Sequence, residues 1–307
     1  MAVRRAWKVV ALLALSSLLN FAQMTPSVRS AVLINHSYVV HSNIVYKVAA
    51  NYDIKLDVYH RHDTATPIPV VIMIHGGGWI SSNKDDYVLT AGPYLAMGFA
   101  VVNVEYRLGK VSQAPASVDD CLCALRWVSV HAKEYNFDLT KIVLTGPSAG
   151  GNLALSTGMI PPSSGFGNDC ANMSDIKAPW PKVAAIINLF GITDVADLLQ
   201  GANIRAYAVT WLGSQSNREA LAQQLSPLIY VRPDNPPVLT IHGDTDPTVP
   251  YSHAVRLHEA LTKAGVRNQL LTIPGGGHGG FTAEQDIFAF ETTVQFLESL
   301  GIHAINP

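Results

Sequence analysis

The chain has 307 residues, of which 48% are hydrophobic and 14% charged, with a formal net charge of −2. That length suits one α/β domain, or one domain with a small insertion, and supplies ample apolar material for a core. No basic run points to nucleic acid, no acidic run to a tail or metal buffer, and no internal repeat is visible.

The chain opens on Arg4, Arg5 and Lys8, followed by an apolar run from Val9 to Leu19. The run is too short to span a bilayer and fits the h-region of a signal peptide. Residues 1–22 are therefore expected to be removed, with cleavage near Ala22. Residues 23–307 would then form a single secreted or periplasmic domain without stable membrane insertion. No cysteine follows the run, which argues against a lipoprotein anchor, and the Arg4-Arg5 pair is only a faint twin-arginine feature.

Alternating residues at 44–48 and 54–59 predict half-exposed strands at an antiparallel edge. Nearly continuous apolar runs at 69–75, 99–104, 141–146, 183–190, 237–242 and 269–273 predict buried parallel strands. Helical patterns lie between them at 117–131, 149–157, 251–264 and 282–298. The alternation implies an α/β fold: a mostly parallel, twisted sheet with helices on both faces. In such a sheet ligands bind outside the carboxyl ends of the strands. The working-side loops thus begin at Gly76, Glu105, Pro147, Gly191, Gly243 and Pro274. The Gly- and Pro-rich stretch 158–181 follows a helix and belongs at the opposite end. Residues 191–236, with helical patterns at 194–199 and 205–212, are the candidate for a small lid. Cys121 and Cys123 stand two apart in a helical pattern and point in different directions, so they should not bridge each other. A bridge from one of them to Cys170 and a set of buried free thiols both fit the sequence, and the spacing matches no metal site.

Four working-side loops hold the groups of acyl transfer. Gly146-Pro147-Ser148-Ala149-Gly150-Gly151 is a G-x-S-x-G between strand and helix, the nucleophile elbow, which lifts a serine oxygen above the sheet at the positive end of a helix. Pro147 departs from the usual polar residue before the serine without blocking it. His75-Gly76-Gly77-Gly78-Trp79 lets backbone N–H groups converge on one point, as an oxyanion requires. Gly76 and Gly77 are the expected loop donors, with Gly78 close behind and the Ala149 N–H as the other partner; His75 is read as structural. Asp244 and Asp246 share the loop after strand 237–242, and both are within reach of His278, which sits among glycines after the last strand. The order nucleophile, acid, histidine is that of this fold. Most other histidines read as surface or core fillers, and none stands in metal spacing. Trp79 and Phe281 flank the site and are candidates to line an acyl or aryl pocket, with core filling as the competing account.

These motifs resemble the carboxylesterases of the α/β-hydrolase superfamily that carry an H-G-G-G oxyanion loop, near the hormone-sensitive-lipase type. Glu105-Tyr106-Arg107-Leu108 and Ala114-Pro115-Ala116 look like that group's Y-R-L…P-A segment. The forms His-Gly-Gly-Gly-Trp, His-Gly-Asp-Thr-Asp-Pro-Thr-Val-Pro and Gly-His-Gly-Gly-Phe look closer to a secreted branch of bacterial feruloyl and acetyl-xylan esterase-like proteins. The resemblance covers roughly residues 44–300. It implies a triad of Ser148, Asp246 and His278, with Gly76, Gly77 and Ala149 forming the oxyanion hole. It is the family's H-G-x-x-D-x-x-V-P pattern that selects Asp246 over Asp244. The N-terminal helical cap of the hormone-sensitive-lipase type has no counterpart expected here. The implied reaction is hydrolysis of short-chain or aryl carboxylic esters, free or linked to polysaccharide, through an acyl-enzyme, with no metal or organic cofactor. A serine peptidase of the prolyl-oligopeptidase kind, an amidase or formamidase on the same fold, and a non-catalytic binding protein are the competing readings. A peptidase of that kind usually carries a large extra propeller, and a dead member typically loses a triad residue.

Overall fold

The strands β1 (Tyr38–Ala49) and β2 (Tyr52–Arg61) pair antiparallel through a turn at Ala50 and Asn51, whose φ values of 52° and 61° give the primed geometry that matches strand twist. β2 pairs antiparallel with β4 (Ala100–Val104). From there β3 (Ile68–Ile74), β5 (Phe137–Pro147), β6 (Val183–Leu189), β7 (Val238–Gly243) and β8 (Asn268–Ile273) continue in parallel, in the spatial order β1-β2-β4-β3-β5-β6-β7-β8. This computed structural model describes residues 25–168, 170 and 180–303. The expected signal peptide, residues 1–22, lies outside them.

Alternate residues of the central strands face opposite ways, as the two-residue strand period requires. Val70, Ile72, Ile74, Ile142 and Leu144 join one apolar cluster, while Val71, Met73, Val143 and Ile187 join the other. The first cluster is closed by α3 (Ala116–Val130), α4 (Ala132–Tyr135), α5 (Ala149–Met159) and α8 (Ser252–Lys263). The second is closed by α2 (Gly92–Ala96) and α9 (Ala283–Glu298). Both sheet faces are thus covered, which is why these strands read as continuous apolar runs rather than alternating ones.

The connection after β3 leaves over one face, through α2, and the connection after β5 leaves over the other, through α5. β3 and β5 are neighbours, so their carboxyl ends flank a topological switch point, the place where an open parallel sheet leaves a crevice. Both glycine-rich loops of interest start there.

Several elements depart from expectation. A helix, α1 (Pro26–Ser37), precedes β1, capped by Thr25 and with proline in its first turn. Its apolar residues escaped a core reading because Val28 and Val32 remain 48% and 50% exposed. β8 is the sheet's edge rather than a buried strand, and within it only Ile273 is buried. The helical pattern at 194–199 is a short 3₁₀ turn, Asp197–Leu199, whereas α6 (Ala206–Leu212) and α7 (Arg218–Gln224) are regular. Residues 191–236 are well packed: Ile192, Val195, Leu198, Ala208, Trp211 and Leu212 are all fully buried. The described part of 158–181 packs along α3, where Gly167 N–H donates to Asp119 in the helix's first turn and Cys170 is disulfide-bonded to Cys123 one turn further on. Cys121 is a buried free thiol.

Candidate active site

β5 ends at Pro147 and α5 starts at Ala149, so Ser148 carries the whole turn between them. It does so at φ 56° and ψ −119°, a conformation that L-residues rarely adopt and that costs of order 1–3 kcal/mol. Ser148 N–H donates to the Leu189 carbonyl at the end of β6. The turn is tight because α5 packs directly on β3: a Cβ on Gly150 would stand 2.1 Å from the Ile74 carbonyl oxygen and 2.6 Å from that of His75. Both are backbone atoms and cannot rotate away. Gly150→Ala is therefore expected to cost about 3 kcal/mol or more of stability. Urea unfolding checks this, and a variant with the wild-type midpoint would contradict the packing argument.

Three side chains from three loops form one hydrogen-bonded chain. The Ser148 hydroxyl faces His278 Nε2 at 2.8 Å, and His278 Nδ1 faces Asp246 Oδ2 at 2.7 Å. His278 is half-buried, with the ring of Phe190 edge-on at 4.8 Å. Asp246 is fully enclosed at its side chain, and its second oxygen, Oδ1, accepts from the backbone N–H groups of Thr248 (2.7 Å) and Val249 (2.9 Å). Burial pushes this carboxyl up. Hydrogen bonds from His242, His278 and the Val249 and Thr248 backbone outweigh it and hold the group well below the usual carboxylate range. The carboxylate is thus ionised at neutral pH, where it can hold His278 with Nδ1 protonated and Nε2 free to accept the serine proton.

Asp244, the other acid considered from sequence, is exposed. An aspartate in a loop commonly accepts from backbone N–H groups of its own turn. Asp244 Oδ1 instead accepts from Gly275 N–H at 2.7 Å, across in the loop that carries His278. The cause is the neighbouring register of β7 and β8, which lays the two loops side by side; Thr245 likewise donates to the Gly276 carbonyl through both N–H and hydroxyl.

The glycine loop leaves β3 beside the elbow. Gly77 takes φ 102°, and a Cβ there would stand 2.1 Å from the Ser81 carbonyl oxygen, so only glycine fits the turn. The Gly77 carbonyl accepts from Ile80 and Ser81 N–H. His75 and Tyr106 brace the loop: the two rings stack at 4.1 Å, and His75 Nδ1 and the Tyr106 hydroxyl both donate to the Gly76 carbonyl. The Gly76 and Gly77 carbonyls are thus both engaged within the protein. Ala149, fully buried, contributes one of the donors a helix leaves without an intrahelical partner at its N-terminus.

Trp79 does not line a pocket. It is fully buried and stacks on Trp211 of α6 at 4.1 Å. Phe281 is half-buried and packs edge-on against Phe190, one ring removed from His278. The residues the sequence did not single out are Phe190, Tyr207, Arg205 and His242. Tyr207 on α6 lies where a Cβ on Gly78 would meet it at 2.9 Å, and its hydroxyl donates to the Thr248 carbonyl. Burial pushes this phenol up to about 12, so it is a neutral donor. Arg205 donates to the carbonyls of Thr248 and Pro247. Segment 191–236 therefore touches both the glycine loop and the acid loop. Only His242 carried a readable signal, since it opens the H-G-x-x-D run.

Among the described residues no group of three or more His, Cys, Asp or Glu side chains is placed to hold a metal ion, and no helix is long and apolar enough to cross a membrane.

The chain is similar to a truncated carbohydrate esterase from gut microbiota, at 26% identity and a TM-score of 0.72, over 86% of this chain and 96% of that one. It is similar to esterase 2 of Thermogutta terrifontis in its propionate-bound form, at 26% identity and a TM-score of 0.70, over 88% of this chain and 97% of that one. It is also 28% identical over 235 residues to the esterase LipC of Mycobacterium tuberculosis, covering 73% of this chain and 56% of LipC. The chain spans about half the length, or less, of the curated relatives it matches. Residues 56–261 match the BD-FAE family model, a stretch that runs from within β2 to within α8 and ends before β8 and the His278 loop. With more than half its length matched on a sheet of this topology, the chain belongs to the BD-FAE family and has the α/β-hydrolase fold.

Proposed function

We propose that the protein is a serine carboxylesterase that hydrolyses short-chain or aryl carboxylic esters through an acyl-enzyme on Ser148. The observation that carries this reading is the continuous relay from Ser148 Oγ through His278 to Asp246, at 2.8 and 2.7 Å, beside a glycine loop and a helix N-terminus. In this reading His278 takes the serine proton as Ser148 attacks the ester carbonyl. Asp246 holds the imidazole in the accepting tautomer and stabilises its positive charge. The N–H groups of Gly76, Gly77 and Ala149 receive the oxyanion, the alcohol departs with a proton from His278, and water activated by His278 releases the acid. The relatives named as esterases support an ester rather than an amide substrate. Labelling by a fluorophosphonate probe, together with a panel of ester and amide substrates, tests it. Failure to label, or amide turnover exceeding ester turnover, would sink the proposal.

Acyl preference follows from the packing over the site. Tyr207 packs on Gly78 and bonds to the acid loop, and in this reading segment 191–236 is a small lid that favours short acyl groups. The Thermogutta esterase 2 structures with propionate and with butyrate bound support small acyl groups. We expect p-nitrophenyl butyrate to be hydrolysed with kcat/KM at least about tenfold above the laurate ester; the reverse order would contradict the lid reading. Acetyl or feruloyl esters on plant polysaccharide are the natural class this reading favours, with the carbohydrate esterase relative as support. The Cys123–Cys170 bridge supports export through the expected signal peptide to an oxidising compartment.

A further inference from the structure

Asp246 Oδ2 faces two imidazoles. One is His278; the other is His242, at the end of β7, fully buried, whose Nε2 lies 3.2 Å from Asp246 Oδ2 and 3.2 Å from the Val249 carbonyl oxygen. Both facing atoms are acceptors, so Nε2 carries the proton and shares it between them. Nδ1 is buried without a hydrogen-bond partner among the described residues, a place for a lone pair rather than a second N–H. The ring is held edge-on by Tyr251, ahead of α8, at 5.6 Å between centroids. Asp246 Oδ2 thus has two imidazole nitrogens beside it, from His242 at 3.2 Å and His278 at 2.7 Å, while Oδ1 accepts from Thr248 and Val249 N–H.

We infer that His242 is a positioning residue for the reaction: through its Nε2–H it fixes Asp246 Oδ2 toward His278 and sets how much of the carboxylate's charge His278 feels. The inference rests on the triad reading proposed above. The other titratable groups facing this pair are Tyr207 from α6, with Arg205 just before it, Asp244 in the same loop, and Tyr251, whose hydroxyl meets Thr272 on β8. None of them has a hydrogen bond to Asp246 Oδ2 among the described residues. A donor on Oδ2 draws charge away from the bond to His278. Removing it leaves more negative charge on that bond and favours protonated His278, which cannot act as a base.

The test compares His242→Gln with His242→Asn. Glutamine places its amide near the position of Nε2 and keeps a donor toward Asp246; asparagine reaches only the position of Nδ1. Both are polar and smaller than or similar to histidine, so fold stability should respond alike. His242→Asn is expected to lower kcat on p-nitrophenyl butyrate about 10- to 100-fold with little change in KM, and to move the acid limb of kcat/KM to higher pH. His242→Gln should recover most of the rate and return the acid limb to its wild-type position. A merely structural role would lower the unfolding midpoint of both variants and leave the acid limb in place, and that result would overturn the inference. So would wild-type kinetics in His242→Asn. In the unsubstituted protein, nitrogen-15 NMR of labelled histidine should find His242 protonated on Nε2; a proton on Nδ1 instead would overturn the inference without any variant. Ser148→Ala and Asp246→Asn, assayed alongside, separate the two levels. If both keep wild-type turnover, the triad reading falls and carries this inference with it. If both are inactive while His242→Asn is unaffected, only the role of His242 falls.

Discussion

Ser148→Ala is expected to lower kcat on p-nitrophenyl acetate by about six orders of magnitude while the unfolding midpoint moves by no more than a few degrees. In the proposed mechanism the rate effect is large because the substitution removes the atom that would form the acyl-enzyme, and His278 then has no hydroxyl to deprotonate. The stability effect is small because the side chain is half-buried and its described partner is the imidazole at 2.8 Å. Alanine at φ 56° meets the same backbone conformation as serine, and the Ser148 N–H bond to Leu189 survives. Residual activity of about 10³-fold over water remains compatible with the proposal, since oxyanion donors and binding still act. Wild-type turnover in the purified variant would show that Ser148 is not the nucleophile.

The second large effect separates two neighbouring acids. Asp246→Asn should reduce kcat by about 10⁴-fold. The asparagine carbonyl can still accept from Thr248 and Val249 N–H, so the loop keeps its shape. Its amide then points donors at His278 Nδ1 and His242 Nε2. His278 must answer with a lone pair on Nδ1, which puts its proton on Nε2, facing Ser148, where it cannot accept. Asp244→Asn should lose only a fewfold, because an exposed amide oxygen can replace Oδ1 as acceptor for Gly275 N–H and the loop of His278 stays in register. Both variants are to be assayed at one pH above the histidine titration range, so that protonated His278 does not blur the comparison. A severe loss in Asp244→Asn with near-normal Asp246→Asn would reverse the assignment.

The parallel strands were legible from sequence because burial on both faces demands an unbroken apolar run, and such a run has few other uses in a chain of this composition. The predicted run 69–75 becomes Ile68–Ile74, and 141–146 lies within Phe137–Pro147. The helix predicted at 282–298 begins one residue later, at Ala283, where Thr282 caps it. Elements whose apolar residues stay in water, such as the helix Pro26–Ser37, gave no such pattern. Edge position was equally hidden: Leu270 and Leu271 read as core yet lie half-exposed on the last strand.

At the site, local chemistry determined the elbow, the glycine loop and the histidine loop from sequence alone, because each requires glycine at fixed offsets to make its turn. The choice of acid needed a family resemblance, since Asp244 and Asp246 sit in the same loop with nothing local to rank them. Tertiary structure distinguished their surroundings, burying one carboxylate beneath His278 and turning the other toward Gly275. It also decided what no spacing encodes. Trp79 is consumed by stacking on Trp211, a residue 132 positions away in the chain, and so is lost to any pocket. Phe190, Tyr207 and His242 reach the site from the ends of β6, α6 and β7 because the sheet order lays those elements side by side. Turn-making is a property of a few consecutive residues and can be read from them; contact across a sheet depends on strand order and register, which are settled only when the whole core packs.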